Sequence, residues 1–335
     1  MPVSYSFHPT LLVPLTALMA LLLTGLAARY ARHLGMLDQP GGRRSHLIAT
    51  PRGGGAGLVT ALVVASIVGY SQVVNPIWYY AILPGFLLIV VTGWWDDLVS
   101  LSALFRLSVQ VAVSLYLLMY LHHHGWAPGW LTWVCAGIFI IAMSNVYNFM
   151  DGINGMAGTQ GVFAGLLLAV LFHAAGDRGM ALLCLLMAAA CIGFLPWNLG
   201  QARVFMGDVG SPALGFFFAA VLAYGLSAGT FGLAAAWLVM LVFICDAGLT
   251  LLSRVIRGEQ WYTAHRQHLY QRLITRGWPH GRVVLLYQAI NLVIVVPAIA
   301  VAVNYPALAM VAGLLATGVL VLVWLLGTKK LECSL

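Results

Sequence analysis

The chain has 335 residues, 62% of them hydrophobic and 7% charged, whereas a soluble globular domain carries roughly 25% charged residues. Sixteen basic and nine acidic side chains cannot build a water-facing surface on a chain this long, so the lipid bilayer is the solvent that suits it. The net charge of +7 is compatible at this level with nucleic acid, an anionic membrane surface or orientation in a membrane.

Apolar runs long enough to cross about 30 Å of hydrocarbon need roughly 20 residues each. They fall near 10–30, 54–72, 77–94, 105–121, 130–147, 158–175, 179–196, 209–227, 231–253, 283–303 and 306–327. Eleven spans are predicted, or ten if the Gly-rich second run or the sixth and seventh are misread. All are helices, because backbone polar groups in lipid must be satisfied within the segment. The first run has no basic leader or small-residue cleavage site and reads as a span, not a signal peptide.

On this ladder one set of alternate loops receives Arg29, Arg32, Arg43, Arg44, Arg52, Arg106, Arg203, Arg254, Arg257, Arg266, Arg272, Arg276, Arg282, Lys329 and Lys330. The other set receives Arg178 alone. That asymmetry is a positive-inside pattern, with the N-terminus outside and the C-terminus cytoplasmic. It also favours an odd number of spans and removes the need for nucleic acid. The fold class expected is an all-α polytopic membrane protein, with 1–335 as a single domain and 254–282 as a large loop. Five scattered cysteines suggest neither a disulfide framework nor a zinc site.

Seven of the nine acidic residues lie in or beside the basic loops; Asp246 lies inside the ninth span and Asp177 is outside. A transporter is expected to keep its carboxylates near the bilayer midplane. Here they gather at one face with the arginines, as in a site that takes a charged substrate from the cytoplasm.

Four loops carry the chemistry. Arg43-Arg44-Ser-His46 with Pro51-Arg52 and three glycines leads into the second span, although anchoring alone accounts for arginines there. Gly93-Trp-Trp-Asp96-Asp97 ends the third. Neighbouring helical residues point about 100° apart, so one carboxylate meets a metal while the other meets a second group, unless both belong to a solvated helix end. In Asn145-Val-Tyr-Asn148-Phe-Met-Asp151-Gly-Ile-Asn154 the polar groups recur every third residue and can share one face of a helical turn. Phe205-Met-Gly-Asp208-Val-Gly-Ser211 puts a carboxylate at a helix N-terminus, which suits Mg²⁺ plus phosphate or simple N-capping.

The last large loop holds His265, Arg266, His268 and Arg272, which a short helix would gather into a diphosphate cradle or lay on anionic lipid. Asp246, about 10 Å from the cytoplasmic end by helix rise, is a functional candidate or a buried hydrogen-bond acceptor. His122, His123 and His124 look like a metal tract but fall on the opposite face, in a bland outer loop.

Together, in collinear order over most of the chain, these loops resemble the polyprenyl-phosphate N-acetylhexosamine-1-phosphate transferase superfamily, the MraY/WecA-like enzymes of glycosyltransferase family 4. Eleven spans look like the WecA branch. The resemblance implies transfer of a sugar-1-phosphate from a UDP-N-acetylated sugar (GlcNAc, QuiNAc or FucNAc type) to undecaprenyl phosphate with release of UMP. It implies Mg²⁺, or Mn²⁺ in its place, a bacterial inner-membrane location with a cytoplasmic active site, membrane lipid as surroundings, and a homodimer.

By similarity Asp208 is the Mg²⁺ ligand, and Asp96 and Asp97 assist the metal and the lipid phosphate. Asn148 and Asp151 fall where nucleotide and diphosphate are held, Asp151 counting with Asp96, Asp97 and Asp208 as catalytic, and Arg44, His46, Arg52, Arg106, Asn145 and Asp246 are further binding residues. His265, Arg266 and His268 fall where the sugar-phosphate is held. The chain has Asn154 where many members have a second Asp; an amide is no base and a weaker metal ligand, so that role is not carried over, although Asn154 stays a binding candidate. This departure and Tyr270-Gln271 resemble the O-antigen-initiating subgroup.

The physics agrees. A phosphate with second pKa about 6 is largely deprotonated near neutrality, so the barrier is bringing two anions together, and charge stabilisation and positioning must supply the catalysis. A secondary transporter using Asp246 and a broken helix at 145–158 is the alternative.

Overall fold

The computed structural model describes residues 9–38, 49–70, 75–260, 263 and 265–332. Its elements are α1 (Pro9–His33), β1 (Leu37–Asp38), β2 (Thr50–Pro51), α2 (Gly55–Val68) and a π-helical turn at Trp78–Ile82 that runs into α3 (Leu83–Val99). Then come α4 (Ala103–His123), α5 (Trp130–Met150), α6 (Met156–Ala174), α7 (Arg178–Asn198) and α8 (Ser211–Ser227). The chain ends with α9 (Leu233–Val239), α10 (Leu241–Ile256), α11 (Leu269–Thr275), α12 (His280–Ile290), a second π-helical turn at Asn291–Val295, α13 (Val296–Asn304) and α14 (Ala309–Glu332).

Each of the eleven apolar runs carries a helix among its described residues. Eight helices are long and apolar enough to cross a membrane, and α9 with α10 makes a ninth, bent by 76° at the break. The two others, Gly55–Val68 and Ser211–Ser227, are shorter apolar helices. The protein is thus an all-α polytopic membrane protein.

Small residues set the packing. With no hydrophobic driving force between helices in lipid, close backbone approach and van der Waals contact hold a bundle together. A Cβ on Gly193 would lie 2.1 Å from the Ala17 carbonyl, and one on Gly57 would lie 2.3 Å from the Thr24 nitrogen, so α1, α2 and α7 touch backbone to backbone. α8 is the centre: Phe216, Phe217 and Phe218 are fully buried, and Phe217 meets Trp78 and Phe86 edge-on. Leu314, Leu315 and Leu326 on α14, and Leu292 and Val293 beside α13, remain exposed, as a lipid-facing perimeter requires.

The ends of the helices bring distant loops together. β1 and β2 form a two-residue antiparallel pair, Leu37 opposite Pro51 and Asp38 opposite Thr50. From there residues 51–55 run beside 205–206: Phe205 N–H donates to Pro51 O (2.8 Å), Gly54 N–H to Phe205 O (2.9 Å) and Gly55 N–H to Met206 O (2.9 Å). The start of α2 is thereby fixed to the loop before α8.

Candidate active site

The site is built where α3, α4, α5 and α8 have the ends that face these loops. α3 stops at Ser100, whose φ of 55° is left-handed. The turn is held by Asp96, whose Oδ1 accepts the Leu101 N–H (2.6 Å) while Oδ2 pairs with Arg106 Nη1 (2.5 Å) in the first turn of α4. Ser102 caps that helix by accepting the Phe105 N–H. Asp97, one residue on, faces elsewhere: its two oxygens accept the backbone N–H groups of Asp208 and Val209, each at 3.1 Å. The divergence expected from helical geometry is what the two side chains show.

Asp208 lies three residues before α8. The helix N-cap is Gly210, without a side-chain cap, so the Asp208 carboxylate is not spent on N-capping. It lies beside Asp96, whose negative charge acts on it, and the two line one cavity. From α5, Asn145 donates to Gln110 Oε1 (2.7 Å) and Asn148 accepts from Ser211 Oγ (3.0 Å). Asp96, Arg106, Gln110, Asn145, Asn148 and Asp208 border a small cavity of about 60 Å³. Arg52 pairs with Asp38 (3.2 Å), and its positive charge also reaches Asp151 and Asp208.

The periodic face expected over 145–154 is only half realised. α5 ends at Met150 and Asp151 is its C-cap, so the chain turns away before Asn154. Asn154 instead donates Nδ2–H to Gly200 O (2.6 Å).

A second group comes from the last large loop. His268 is the residue before α11, so His265 to Gln267 are not helical as expected, yet the rings of His265 and His268 still lie 4.8 Å apart. Asp246 is buried, and its carboxylate accepts from Leu269 N–H (2.7 Å), Tyr270 N–H (3.2 Å) and the Tyr287 hydroxyl (2.5 Å). It takes the buried hydrogen-bonding role, holding α11 in place. Tyr270 then joins this group to the first one, since its hydroxyl donates to Phe149 O (2.7 Å). A Cβ on Gly152 would lie 2.1 Å from that hydroxyl, so only glycine admits the contact. Arg44 and His46 lie outside the described residues, and Arg266 is near the group without a role that the geometry singles out.

Electrostatics follow from the crowding. Burial, with the negative charge of Asp208 added, pushes the Asp151 carboxyl well above the usual carboxylate range, against the pull of Arg52. Burial and then Asp96 raise Asp208. His265 is pushed down to about 4 by burial and by His268 and Arg254 beside it, and burial lowers His268, so both rings are neutral in the free protein. A carboxyl whose folded-state pKa is raised binds its proton more tightly in the folded chain, and the resulting stability is lost as pH rises through that folded value. Above about pH 7 the histidines are neutral in both states, so the cation-free protein is expected to melt higher near about pH 7 than near about pH 8.5. Melting curves in EDTA across that range check this, and Asp151→Asn should flatten the slope.

Among the described residues, no group of three or more His, Cys, Asp or Glu closes on a common point for a metal. Mg²⁺ does not need such a cage, because one or two carboxylates with substrate phosphates and water suffice. The adjoining Asp208 and Asp96 carboxylates are a donor set that fits it. A larger cavity of about 250 Å³ lies at the other ends of α3, α4 and α8, between Asn75, Tyr120, His124, Trp126 and Tyr224. Asn75 and Tyr224 are tied there to each other and to Asp177, so it offers no anion site.

The sequence did not single out Arg254, Glu259 and Gln267. Buried Arg254 pairs with Glu259 (2.7 Å), which also accepts from Gln267 Nε2 (2.9 Å), and the three brace the His265 loop. The available signal was a basic residue at 254 near the end of an apolar run with an acidic one five positions on at 259.

Fold and site together define a polytopic membrane protein whose carboxylates, arginines and carboxamides converge at one end of its helices. Residues 79–227 match the model of Glycosyl transferase family 4. The chain is 27% identical over 295 residues to a probable undecaprenyl-phosphate N-acetylglucosaminyl 1-phosphate transferase of Bacillus subtilis (strain 168), covering 84% of this chain and 82% of the relative. It is 29% identical over 320 residues to the decaprenyl-phosphate N-acetylglucosaminephosphotransferase of Mycobacterium tuberculosis (strain ATCC 25618 / H37Rv), covering 82% and 78%. It is also 29% identical over 301 residues to the phospho-N-acetylmuramoyl-pentapeptide-transferase of Synechocystis sp. (strain ATCC 27184 / PCC 6803 / Kazusa), covering 79% and 78%. Over most of its length the chain is thus similar to polyprenyl-phosphate N-acetylhexosamine-1-phosphate transferases.

Proposed function

We propose that the protein transfers a sugar-1-phosphate from a UDP-N-acetylated sugar to undecaprenyl phosphate, at the cytoplasmic face of a bacterial inner membrane, to initiate O-antigen or a related surface polysaccharide. The observation that carries this reading is the meeting of Asp96, Asp208, Arg52 and Arg106 at one end of apolar helices, where a lipid-borne phosphate and a soluble diphosphate can reach the same point.

An oxygen of the lipid phosphate attacks the phosphorus next to the sugar. The new P–O bond gives the lipid diphosphate sugar, and the bond from that same phosphorus to the bridging oxygen breaks, so that UMP leaves with the oxygen and its electron pair. Mg²⁺, or Mn²⁺ in its place, bound by Asp208 and Asp96 would neutralise charge that builds up on the diphosphate oxygens. Arg52 and Arg106 add fixed positive charge, which counts for more in a partly desolvated site than in water. Asn145 and Asn148 supply uncharged polar contacts for the nucleotide side, and neutral His265 and His268 supply hydrogen bonds for the sugar-phosphate side.

Relatives named as N-acetylglucosaminyl phosphate transferases make UDP-GlcNAc the first substrate to test. Purified protein given Mg²⁺, undecaprenyl phosphate and UDP-GlcNAc, UDP-QuiNAc or UDP-FucNAc is expected to release UMP with at least one of them. Asp208→Asn should lower that rate by roughly 10²–10³-fold, and full turnover in excess EDTA would overturn the metal's role. A transporter using Asp246 is not favoured, because that carboxylate is engaged by two backbone N–H groups and a tyrosine.

A further inference from the structure

Two carboxamides outside the reacting cluster bridge the loops that carry the acidic groups, one of them through both its oxygen and its nitrogen. Asn198, the last residue of α7, is buried at 3% exposure. Its Oδ1 accepts the Gly155 N–H (2.7 Å), on the loop that follows Asp151, and its Nδ2 donates to Val204 O (3.0 Å), on the loop that leads to Asp208. Asn154 repeats the stitch from the other side: its Nδ2 donates to Gly200 O (2.6 Å), while its own N–H donates to His280 Nδ1 (3.2 Å) at the start of α12.

A carboxamide is suited to this place. Asn198 must accept from one strand and donate to the other, so an aspartate would serve Gly155 but set an anionic oxygen against the Val204 carbonyl. Buried polar groups of this kind are costly to leave unpaired, which makes the two loops move together or not at all.

We infer that Asn198 and Asn154 form a bracket that fixes the loop of Asp151 against the loop of Asp208, and that they are positioning residues for the carboxylate site. The inference deepens the phospho-sugar transferase reading and rests on it for its catalytic consequence. Asn154 accordingly acts through the loops and does not need to touch substrate.

The test uses the full chain in detergent micelles, comparing wild type with Asn198→Asp and Asn154→Ala. Hydrogen exchange over 151–157 and 199–208 should accelerate in both segments together, by about tenfold in Asn198→Asp for the loss of one buried hydrogen bond and by less in Asn154→Ala, whose bond to Gly200 is exposed, while segments in α13 and α14 stay unchanged. Mn²⁺ binding followed by electron paramagnetic resonance should weaken by about tenfold, the size seen when outer partners of a metal ligand are removed. The half-saturating Mg²⁺ for UMP release should rise by the same factor, with the KM for UDP-GlcNAc within about threefold of wild type.

A merely structural role would lower the yield of folded protein without moving metal affinity. Exchange confined to one of the two loops, or Mn²⁺ affinity unchanged from wild type, overturns the bracket. Should Asn198→Asp fail to fold, Asn154→Ala carries the same comparisons, because it removes only the bond to Gly200. If wild type releases no UMP from any UDP-sugar, the transferase reading fails, whereas exchange and Mn²⁺ binding still decide the bracket.

Discussion

Asp97→Asn is expected to lower kcat about a hundredfold and to raise the half-saturating Mg²⁺. Both Asp97 oxygens are engaged, one by the Asp208 N–H and one by the Val209 N–H. An asparagine retains one acceptor and turns its NH₂ toward the other N–H, so one bond is lost and two donors face each other. Hydrogen bonds to a charged group contribute roughly 1.5–3 kcal/mol each, and about 2.7 kcal/mol corresponds to a hundredfold in rate. The loss falls on the backbone that carries Asp208, so the half-saturating Mg²⁺ should rise with it. Measuring the half-saturating Mg²⁺ beside kcat separates this role from general-base catalysis. If Asp97 removed a proton from substrate, its amide variant would lose activity and leave Mg²⁺ affinity unchanged, and that outcome would sink the loop-holding role.

The helices were legible because lipid leaves the backbone no alternative. Every apolar run had to be a helix, and each carries a helix among its described residues, although eight, or nine with the bent pair, are long and apolar enough to cross a membrane. The crossing of the Asp96 and Asp97 side chains was legible too, since 100° per residue is a local rule.

What failed was local reasoning applied to residues whose partners are remote in sequence. Asn154 was placed on the face of Asn148 by spacing, but its partner Gly200 lies 46 residues away, and the helix ends first. His265 was expected on a helix with His268, but Asp246, far back in α10, accepts the first two N–H groups of α11 and fixes its start at Leu269. A free backbone N–H is as good a partner for a buried carboxylate as a cation is, and spacing does not reveal which one it meets. The same holds for Asp208, where N-capping was open until Gly210 proved to occupy the cap.

The close approach at Gly93 leads to the strongest steric expectation. A Cβ added there would lie 1.8 Å from the Asp208 carbonyl oxygen, 2.4 Å from its carbon and 2.8 Å from the Val209 nitrogen. All three are backbone atoms, so no side chain can swing aside. The same turn of α3 presents Asp97, which binds the Asp208 and Val209 N–H groups; helix and loop are docked over one patch of bare backbone. Gly93→Ala gains about 1 kcal/mol of helix propensity, but overpacking costs about 1–3 kcal/mol, so the net change in melting temperature should be modest. The effect on activity should be larger. Restoring ordinary contact requires the Asp208 loop to retreat by more than about 1 Å, and a displacement of that size can cost about 10²-fold in rate. Gly248→Ala, in α10 with nothing within 4 Å of its added methyl, is the matched control and should be silent. Kinetics and melting curves of the two variants side by side decide it. Wild-type kcat in Gly93→Ala would mean that the contact between α3 and the Asp208 loop does not set the geometry of the site.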